Sequence, residues 1–329
     1  MSNKLIEQAI KFRNNWKDPI YDMRTDKSIS IIIPVYYPEH LSAVLKHLST
    51  IGGYQEIILV DDSGMIGDQD YSFVQLFNNV KVVYHKKNLG RPAARNTGAA
   101  YAKGDILVFL DQDMFLAPDF FECIRKYYYS NKSILFLGLR ETIPFERIPK
   151  VQNWISPDIT KDWRIRTAVM PEFIDLTVLN VGSAFNGCKP YETLYISKST
   201  DTLKKMGISA NKTLGFWDLP SMVVSHSMAI TKKDFILIGG FPEWIQGWGG
   251  EDIVLGFLAC SANIPIFLSK CASYQAYHTP YSGSEEAKNK ELKRNIRYYR
   301  KWANIIREFP NFEQSKNKKR GCIYEKVHI

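Results

Sequence analysis

Long apolar runs are missing from this sequence: nowhere in its 329 residues do about 18 uncharged apolar residues follow one another, so no helix spanning a bilayer is expected. The N-terminal stretch MSNKLIEQAIKFRNNWKDP carries charge throughout and lacks the apolar centre of a secretory signal, so the expected location is cytoplasmic. Cysteine is scarce. The five present (Cys123, Cys188, Cys260, Cys271 and Cys322) are scattered and never at C-x-x-C spacing. An odd, dispersed set argues against a disulfide framework or a structural zinc, and free buried thiols are the expectation. A G-x-G-x-x-G turn is absent after the first apolar run, which excludes a dinucleotide-type dehydrogenase site. A glycine-rich basic loop, as a nucleotidyltransferase would carry, is absent there too: the residues are Val35-Tyr36-Tyr37-Pro38-Glu39. Internal repeats and low-complexity segments are also lacking.

What remains is an ordinary globular composition, 45% apolar, with a net charge of +9. A basic balance suits acidic ligands, nucleic acid or an anionic membrane. Four short apolar runs, Ser28–Val35, Glu56–Val60, Val80–Tyr84 and Asp105–Leu110, read as buried strands. Helix-sized segments lie between them, at Glu39–Ser49, Tyr71–Asn78 and Arg91–Lys103. Strands alternating with helices imply βαβ units and an α/β fold around a mostly parallel, Rossmann-like sheet flanked by helices. Ligands of such sheets sit beyond the carboxyl ends of the strands. The stretch Pro144–Leu219 has no period of either kind and reads as an irregular excursion, either the acceptor side of a cleft or an ordinary insertion. Regular order returns over Ser221–Ile230, and a helix is expected from Glu251 to Ser261.

Four clusters carry chemistry. Asp111-Gln112-Asp113 closes the run DILVFL, and two carboxylates at a strand end can hold Mn²⁺ or Mg²⁺ and a ribose or phosphate. A bare D-x-D also arises from turn chemistry. Asp61-Asp62-Ser63-Gly64 closes EIILV and could meet a nucleotide, or could be a plain turn with Gly64 at positive φ. In Asn88-Leu89-Gly90-Arg91-Pro92-Ala93-Ala94-Arg95-Asn96, Pro92 suits a first helical turn. Arg91 and Arg95 could face a pyrophosphate, or lie at the surface or in salt bridges. Gly247-Trp248-Gly249-Gly250-Glu251-Asp252 sets an aromatic among glycines before two acids that open a helix. There the acids could serve the helix N-terminus, or one could orient an acceptor hydroxyl while the other takes its proton.

Taken together, SIIIPVYY, EIILVDDSG, NLGRPAARNTGAAYAKGDILVFLDQD and GGFPEWIQGWGGED resemble family 2 and related inverting glycosyltransferases of the A-type fold. The GWGGED run is similar to that of β-1,4-galactosyltransferases, chondroitin-type polymerases and polypeptide N-acetylgalactosaminyltransferases. The resemblance covers about 28–125 and 221–280. It implies that Pro34 and Tyr36 line the nucleotide pocket, that Asp62 contacts the uridine or its ribose, and that Arg91 lies near the donor. It implies that Asp111 meets the ribose and the metal, that Asp113 is the direct metal ligand, and that His278 is a further one. Trp248, Gly249 and Glu251 would shape the sugar and acceptor sites, with Asp252 as general base. His226 could contact either substrate. The resemblance stops short of the membrane-embedded polymerases, because no Q-x-x-R-W run follows the acids.

The resulting expectation is a helical extension over 1–27, a catalytic domain over 28–283 (nucleotide-sugar half about 28–140, acceptor half about 141–283) and a basic amphipathic C-terminal helix and tail over 284–329. Within that last segment Leu292, Ile296, Tyr299, Ala303 and Ile306 share one face among Lys288, Lys290, Lys293, Arg294, Arg297, Arg300, Lys301 and Arg307. This face could pack on the main domain or meet an anionic membrane. Nucleic-acid recognition is not expected, because no aromatic-basic platform accompanies the charge. The expected activity is transfer of a hexose or N-acetylhexosamine from a UDP-sugar to a saccharide, lipid-linked glycan or protein hydroxyl, with inversion and with Mn²⁺. A catalytically inactive nucleotide-sugar- or glycan-binding module is the alternative.

Overall fold

The computed structural model describes residues 27–64, 70–128, 133–162, 223–262, 264, 266–277, 286–295 and 297. His278, nearly all of the N-terminal extension, most of the 144–219 excursion and the chain from 298 onward lie outside the described residues. Eight strands and six helices are used below. In chain order they are β1 (Ile29–Val35), α1 (Leu41–Ile51), β2 (Glu56–Asp61), β3 (Val80–Tyr84), α2 (Arg91–Tyr101), β4 (Ile106–Leu110), β5 (Met114–Phe115) and α3 (Phe120–Tyr128). There follow β6 (Leu135–Ile143), β7 (Ser227–Thr231), α4 (Lys232–Leu237), α5 (Glu251–Ser261) and β8 (Ile266–Ala276), and then a helix α6 over 286–295.

The strands form one sheet in the order β3-β2-β1-β4-β7-β6-β8-β5. The pairings β1–β2, β2–β3, β1–β4 and β6–β8 are parallel; β4–β7, β6–β7 and β5–β8 are antiparallel. From β1 the chain builds outward through β2 and β3, then returns through α2 to place β4 on the opposite side of β1. That reversal opens a crevice between the carboxyl ends of β1 and β4, the usual ligand position in such sheets. Gln112 bridges it, accepting from Tyr36 N at 3.2 Å and donating through its amide to the Tyr37 carbonyl.

The apolar runs are continuous because β1, β2 and β4 are covered on both faces. Ile31, Ile33, Leu59, Val108 and Leu110 join Leu41, Val44, Leu45 and Leu48 of α1 in one core. On the other face Phe109 meets Phe235 and Phe241, with ring centroids 5.0 and 5.1 Å away. There α2 lies so close to the sheet that a Cβ added at Gly98 would come within 2.3 Å of Ile32 Cγ2. Gly98→Ala is therefore expected to cost about 1–3 kcal/mol by overpacking, read as a lower urea midpoint; an unchanged midpoint would contradict this packing.

Two expectations are corrected and one is made specific. The helix expected over Tyr71–Asn78 is a 3₁₀ turn, Ser72–Leu76. Asp70 Oδ1 accepts from Ser72 N at 2.8 Å, and the eclipsed i, i+3 geometry buries Tyr71 and Val74 together. The order expected to return at Ser221 takes the form of a turn at Ser225 and His226, beside the acids described below, and a strand from Ser227. Finally, Cys123 of α3 and Cys271 of β8 are joined as a disulfide. At a sequence separation of 148, only the packing of α3 beside the sheet could reveal the pair.

Candidate active site

The acids converge on one buried cation. Arg95 of α2 is 2% exposed. It donates from Nη1 to Glu251 Oε1 at 3.1 Å and from Nη2 to Asp111 Oδ1 at 3.0 Å, with Asp252 Oδ1 3.8 Å from Nη1. It reaches this position because the small residues Ala94, Gly98 and Ala99 bring α2 down onto the sheet. Asp111 arrives from the end of β4 and the other two acids from the first turn of α5. Burial works against the guanidinium, yet Asp252, Asp111 and Glu251 outweigh it and keep Arg95 charged. Of the two readings open for Arg95, the salt-bridged one is found. The adjacent Asn96 ties α2 to the same segment: it donates to Phe241 O at 2.9 Å and Glu243 Oε1 at 2.8 Å, and accepts from Phe241 N at 2.9 Å.

The environments of Asp111 and Asp252 push them in opposite directions. Burial acts to raise Asp111, but Arg95 first, then Arg91 and Arg140, hold its carboxyl below the usual range. Asp252 is pushed up to about 6, by burial first and the charge of Glu251 second, against the pull of Arg95 and of the Ser225 hydroxyl. Ser225 Oγ donates to Asp252 Oδ1 at 2.6 Å. Two half-buried carboxylates with separated proton affinities suit separate tasks, one held anionic and one able to take a proton near neutrality. Glu251 Oε2 is buried and has no hydrogen-bond partner among the described residues. An acceptor so placed suits a substrate hydroxyl.

Asp113 lies where the chain turns from β4 into β5. Gln275 Nε2 donates to its Oδ2 at 2.9 Å, and Ala276 N donates to its carbonyl at 2.9 Å. The end of β8 thus runs beside Asp113. Tyr277, the residue before His278, is pinned by its N–H to Ile143 O at 2.9 Å and by His40 Nε2 on its carbonyl at 3.1 Å. Hard oxygen donors at Asp111 and Asp113 suit a divalent cation. Among the described residues no cluster of three or more His, Cys, Asp or Glu could hold one; His278 lies outside them.

Asp62 is buried, and its carboxylate shapes a loop. Oδ1 accepts from Leu89 N at 2.8 Å and meets His85 Nδ1 at 2.7 Å, while Oδ2 accepts from Gly90 N at 2.8 Å. It thereby fixes the loop that opens α2. Gly64, at φ 75°, could not carry a side chain, since an added Cβ would approach Lys87 Cα at 2.9 Å. Tyr36, after Pro34 at the end of β1, is 38% exposed beside Tyr37. Arg91 is half-buried at the start of α2. Trp248 is 38% exposed. His226 is buried, with Nδ1 2.8 Å from Ser227 Oγ and its carbonyl accepting from Asp111 N at 3.1 Å. Ser225 and Arg140 escaped sequence reasoning, since neither stands in a pattern that names its partner. Leu292, the first member of the expected amphipathic face, lies against Gly249, where an added Cβ would come within 2.8 Å of it; the rest of that face is outside the described residues.

A βαβ sheet with acids at the β1/β4 crevice, closed by an antiparallel half carrying two more acids on a helix N-terminus, is the A-type glycosyltransferase fold. Residues 30–182 match the family described as Glycosyl transferase family 2, and 221–278 match the one described as N-terminal domain of galactosyltransferase. These two segments are thus similar to a family 2 glycosyltransferase domain and to a galactosyltransferase domain. It is 36% identical over 119 residues to an uncharacterized glycosyltransferase of Haemophilus influenzae, covering 33% of this chain and 46% of that one. It is 25% identical over 268 residues to polypeptide N-acetylgalactosaminyltransferase 3 of Drosophila melanogaster (74% and 34% covered), and 24% identical over 292 residues to validoxylamine A glucosyltransferase of Streptomyces hygroscopicus subsp. limoneus (85% and 58% covered). The matched part is less than two thirds of each of these relatives. Among solved structures, a mannosyltransferase of Pyrobaculum calidifontis in complex with GDP-Man and Mn²⁺ superposes with a TM-score of 0.56 at 14% identity, covering 92% of this chain and 71% of that one. GalNAc-T7 with UDP, GalNAc and Mn²⁺ gives 0.55 at 15% identity, covering 99% and 65%.

Proposed function

We propose that this protein transfers a hexose or N-acetylhexosamine from a UDP-sugar to an acceptor hydroxyl, by one displacement with inversion. The observation that carries the reading is Asp252: an acid raised to about 6 and held by Ser225, next to the Arg95 that joins it to Asp111 at the crevice. Asp252 takes the proton of the acceptor hydroxyl, whose oxygen bonds to the anomeric carbon. The bond from that carbon to the diphosphate breaks, and UDP leaves with the electron pair. A single displacement inverts the anomeric centre. Glu251 Oε2 accepts from a sugar hydroxyl, and Trp248 and Gly249 lie beside the sugar. Pro34, Tyr36 and the loop fixed by Asp62 border the nucleotide, with Arg91 toward the diphosphate.

Asp113, Asp111 and His278 would hold Mn²⁺, or Mg²⁺ in its place; when bound, it neutralises charge on the departing diphosphate. Relatives and structural neighbours named for N-acetylgalactosaminyl-, glucosyl- and mannosyltransferases support sugar transfer. They span protein and small-molecule acceptors by name, so a saccharide, a lipid-linked glycan and a protein all stay within the proposal.

A panel of UDP-sugars and GDP-mannose, with and without Mn²⁺, read by thermal shift and calorimetry, tests the donor. The expected result is stabilisation by one UDP-sugar that requires Mn²⁺ and is lost in Asp113→Ala. A response to GDP-mannose alone would replace the base, and no response to any donor would turn the reading to a glycan-binding module.

A further inference from the structure

The loop 246–250 takes its shape from a helix that begins more than 30 residues later. Gly247, Gly249 and Gly250 have φ of 81°, 81° and 101°, a region that only glycine enters without strain. The curl they create closes around one side chain, Asn295 of α6, which is 2% exposed. Its Nδ2 donates to the carbonyls of Gln246 at 3.1 Å, Trp248 at 3.1 Å and Gly249 at 2.9 Å. Three acceptors facing one group fix the orientation of the amide, because the opposite one would set its oxygen against three carbonyls. Arg294 agrees with that assignment: its Nε lies 3.4 Å from Asn295 Oδ1, and its Nη2 donates to Gln246 O.

One turn earlier on α6, Glu291 Oε2 accepts from Trp248 N at 2.9 Å. The contact is close: a Cβ on Gly247 would meet the Glu291 carboxylate at 2.7 Å, one on Gly249 would meet Leu292 at 2.8 Å, and one on Gly250 would meet Asn295 Cβ at 3.3 Å. Positions 291, 292 and 295 share one helix face. The glycines thus serve two needs together, the left-handed backbone and the approach of α6. The loop leads directly into Glu251 and Asp252.

We propose that Asn295 and Glu291 are positioning residues of the sugar site: by holding the backbone of 246–249 they set the place of Trp248 and of the acids that follow it. The proposal rests on the glycosyltransferase reading for its kinetic part. Its structural part stands alone. A catalytic group displaced by about 1 Å can cost on the order of 10²-fold in rate.

The test uses the full chain and four variants, Asn295→Ala, Asn295→Asp, Glu291→Ala and Glu291→Gln. Hydrogen exchange by mass spectrometry is followed in the peptide spanning 245–252 and in peptides from β1 and β2. Asn295→Ala is expected to speed exchange in 245–252 at least about tenfold with β1 and β2 unchanged. Its kcat/KM for transfer should fall about 10–100-fold, while UDP affinity stays within about twofold. Asn295→Asp, which sets a carboxylate against three carbonyls, should be as impaired or worse. Trp248 N requires an acceptor and not a charge, so Glu291→Gln should restore the rate that Glu291→Ala loses. Unchanged exchange in 245–252 would overturn the proposal, as would equal rates for Glu291→Ala and Glu291→Gln. Should Asn295→Ala not fold, the Glu291 pair decides. Failure of the glycosyltransferase reading would show separately, as a wild-type protein that neither binds a UDP-sugar nor turns one over, and the exchange data would still decide whether α6 holds the loop.

Discussion

Asp252→Asn is expected to lower turnover by about 10³-fold or more, within the range that general-base removal commands, and to leave UDP-sugar affinity within about twofold. The asparagine keeps the shape and can still accept from Ser225, which donates to Asp252 Oδ1. It loses the ability to take a proton. A matching loss of UDP-sugar affinity would instead make Asp252 a donor ligand. The wild-type pH profile carries a second signature. With the carboxyl pushed up to about 6, kcat/KM should be flat above about pH 7 and fall tenfold per unit below about pH 6.

The same shift has a consequence for stability with the opposite sign from the usual acid. A carboxyl raised above its unfolded value favours the native state in its protonated form, so its contribution is present below the unfolded pKa and is lost as pH rises through about 6. At pH 7.5 the ionised Asp252 is therefore a cost to the fold, and Asp252→Asn should melt no lower than the wild type. A lower melting temperature for the inactive variant would contradict the shift. Activity and stability are opposed at this residue, as is common where function needs a buried charge.

The crevice was legible in the sequence because β1, β2 and β4 are buried on both faces and so read as unbroken apolar runs ending in polar residues. Their ends mark the site in any doubly wound sheet. Asp111 and the pair Glu251-Asp252 could be found separately from their positions at a strand end and a helix start. What joins them could not. Arg95 stands in a helix among alanines, and nothing local distinguishes an arginine that meets a pyrophosphate from one buried among three acids. Only the closeness of α2 to the sheet, set by Gly98 against Ile32, decides it. Ser225 was hidden for a similar reason, since nothing in SMVVSHSMAI marks the turn that sets its hydroxyl on Asp252. The glycines of GWGG look like flexibility in the sequence, while in the fold their hydrogen atoms are what lets α6 lie on the loop. The Cys123–Cys271 bridge likewise depends on a packing of α3 and β8 that no spacing encodes.

Arg95→Leu is expected to be the most damaging single change to the fold. It removes a cation that contacts Glu251, Asp111 and Asp252 together. Removing one partner of a buried pair costs about 3–5 kcal/mol, because the remaining charge stays in a poor solvent. Here three carboxylates would remain, and Glu251 is itself 2% exposed. Arg95→Lys should recover part of the loss. A single ammonium cannot reproduce the fork that gives Nη1 to Glu251 and Nη2 to Asp111. The pH dependence separates this mechanism from simple loss of packing. Without Arg95, burial raises Asp111 and Asp252 unopposed by that charge, so the variant gains stability as pH falls from 7.5 to 5.5 and they take up protons. A packing defect would be equally severe at both. Denaturant midpoints of wild type and Arg95→Leu at the two pH values measure the difference, and a gap that does not narrow on acidification would remove Arg95 as the charge that holds the site together. In any Arg95→Lys protein that folds, the acid limb of kcat/KM should move to higher pH, because a more distant cation lowers Asp252 less.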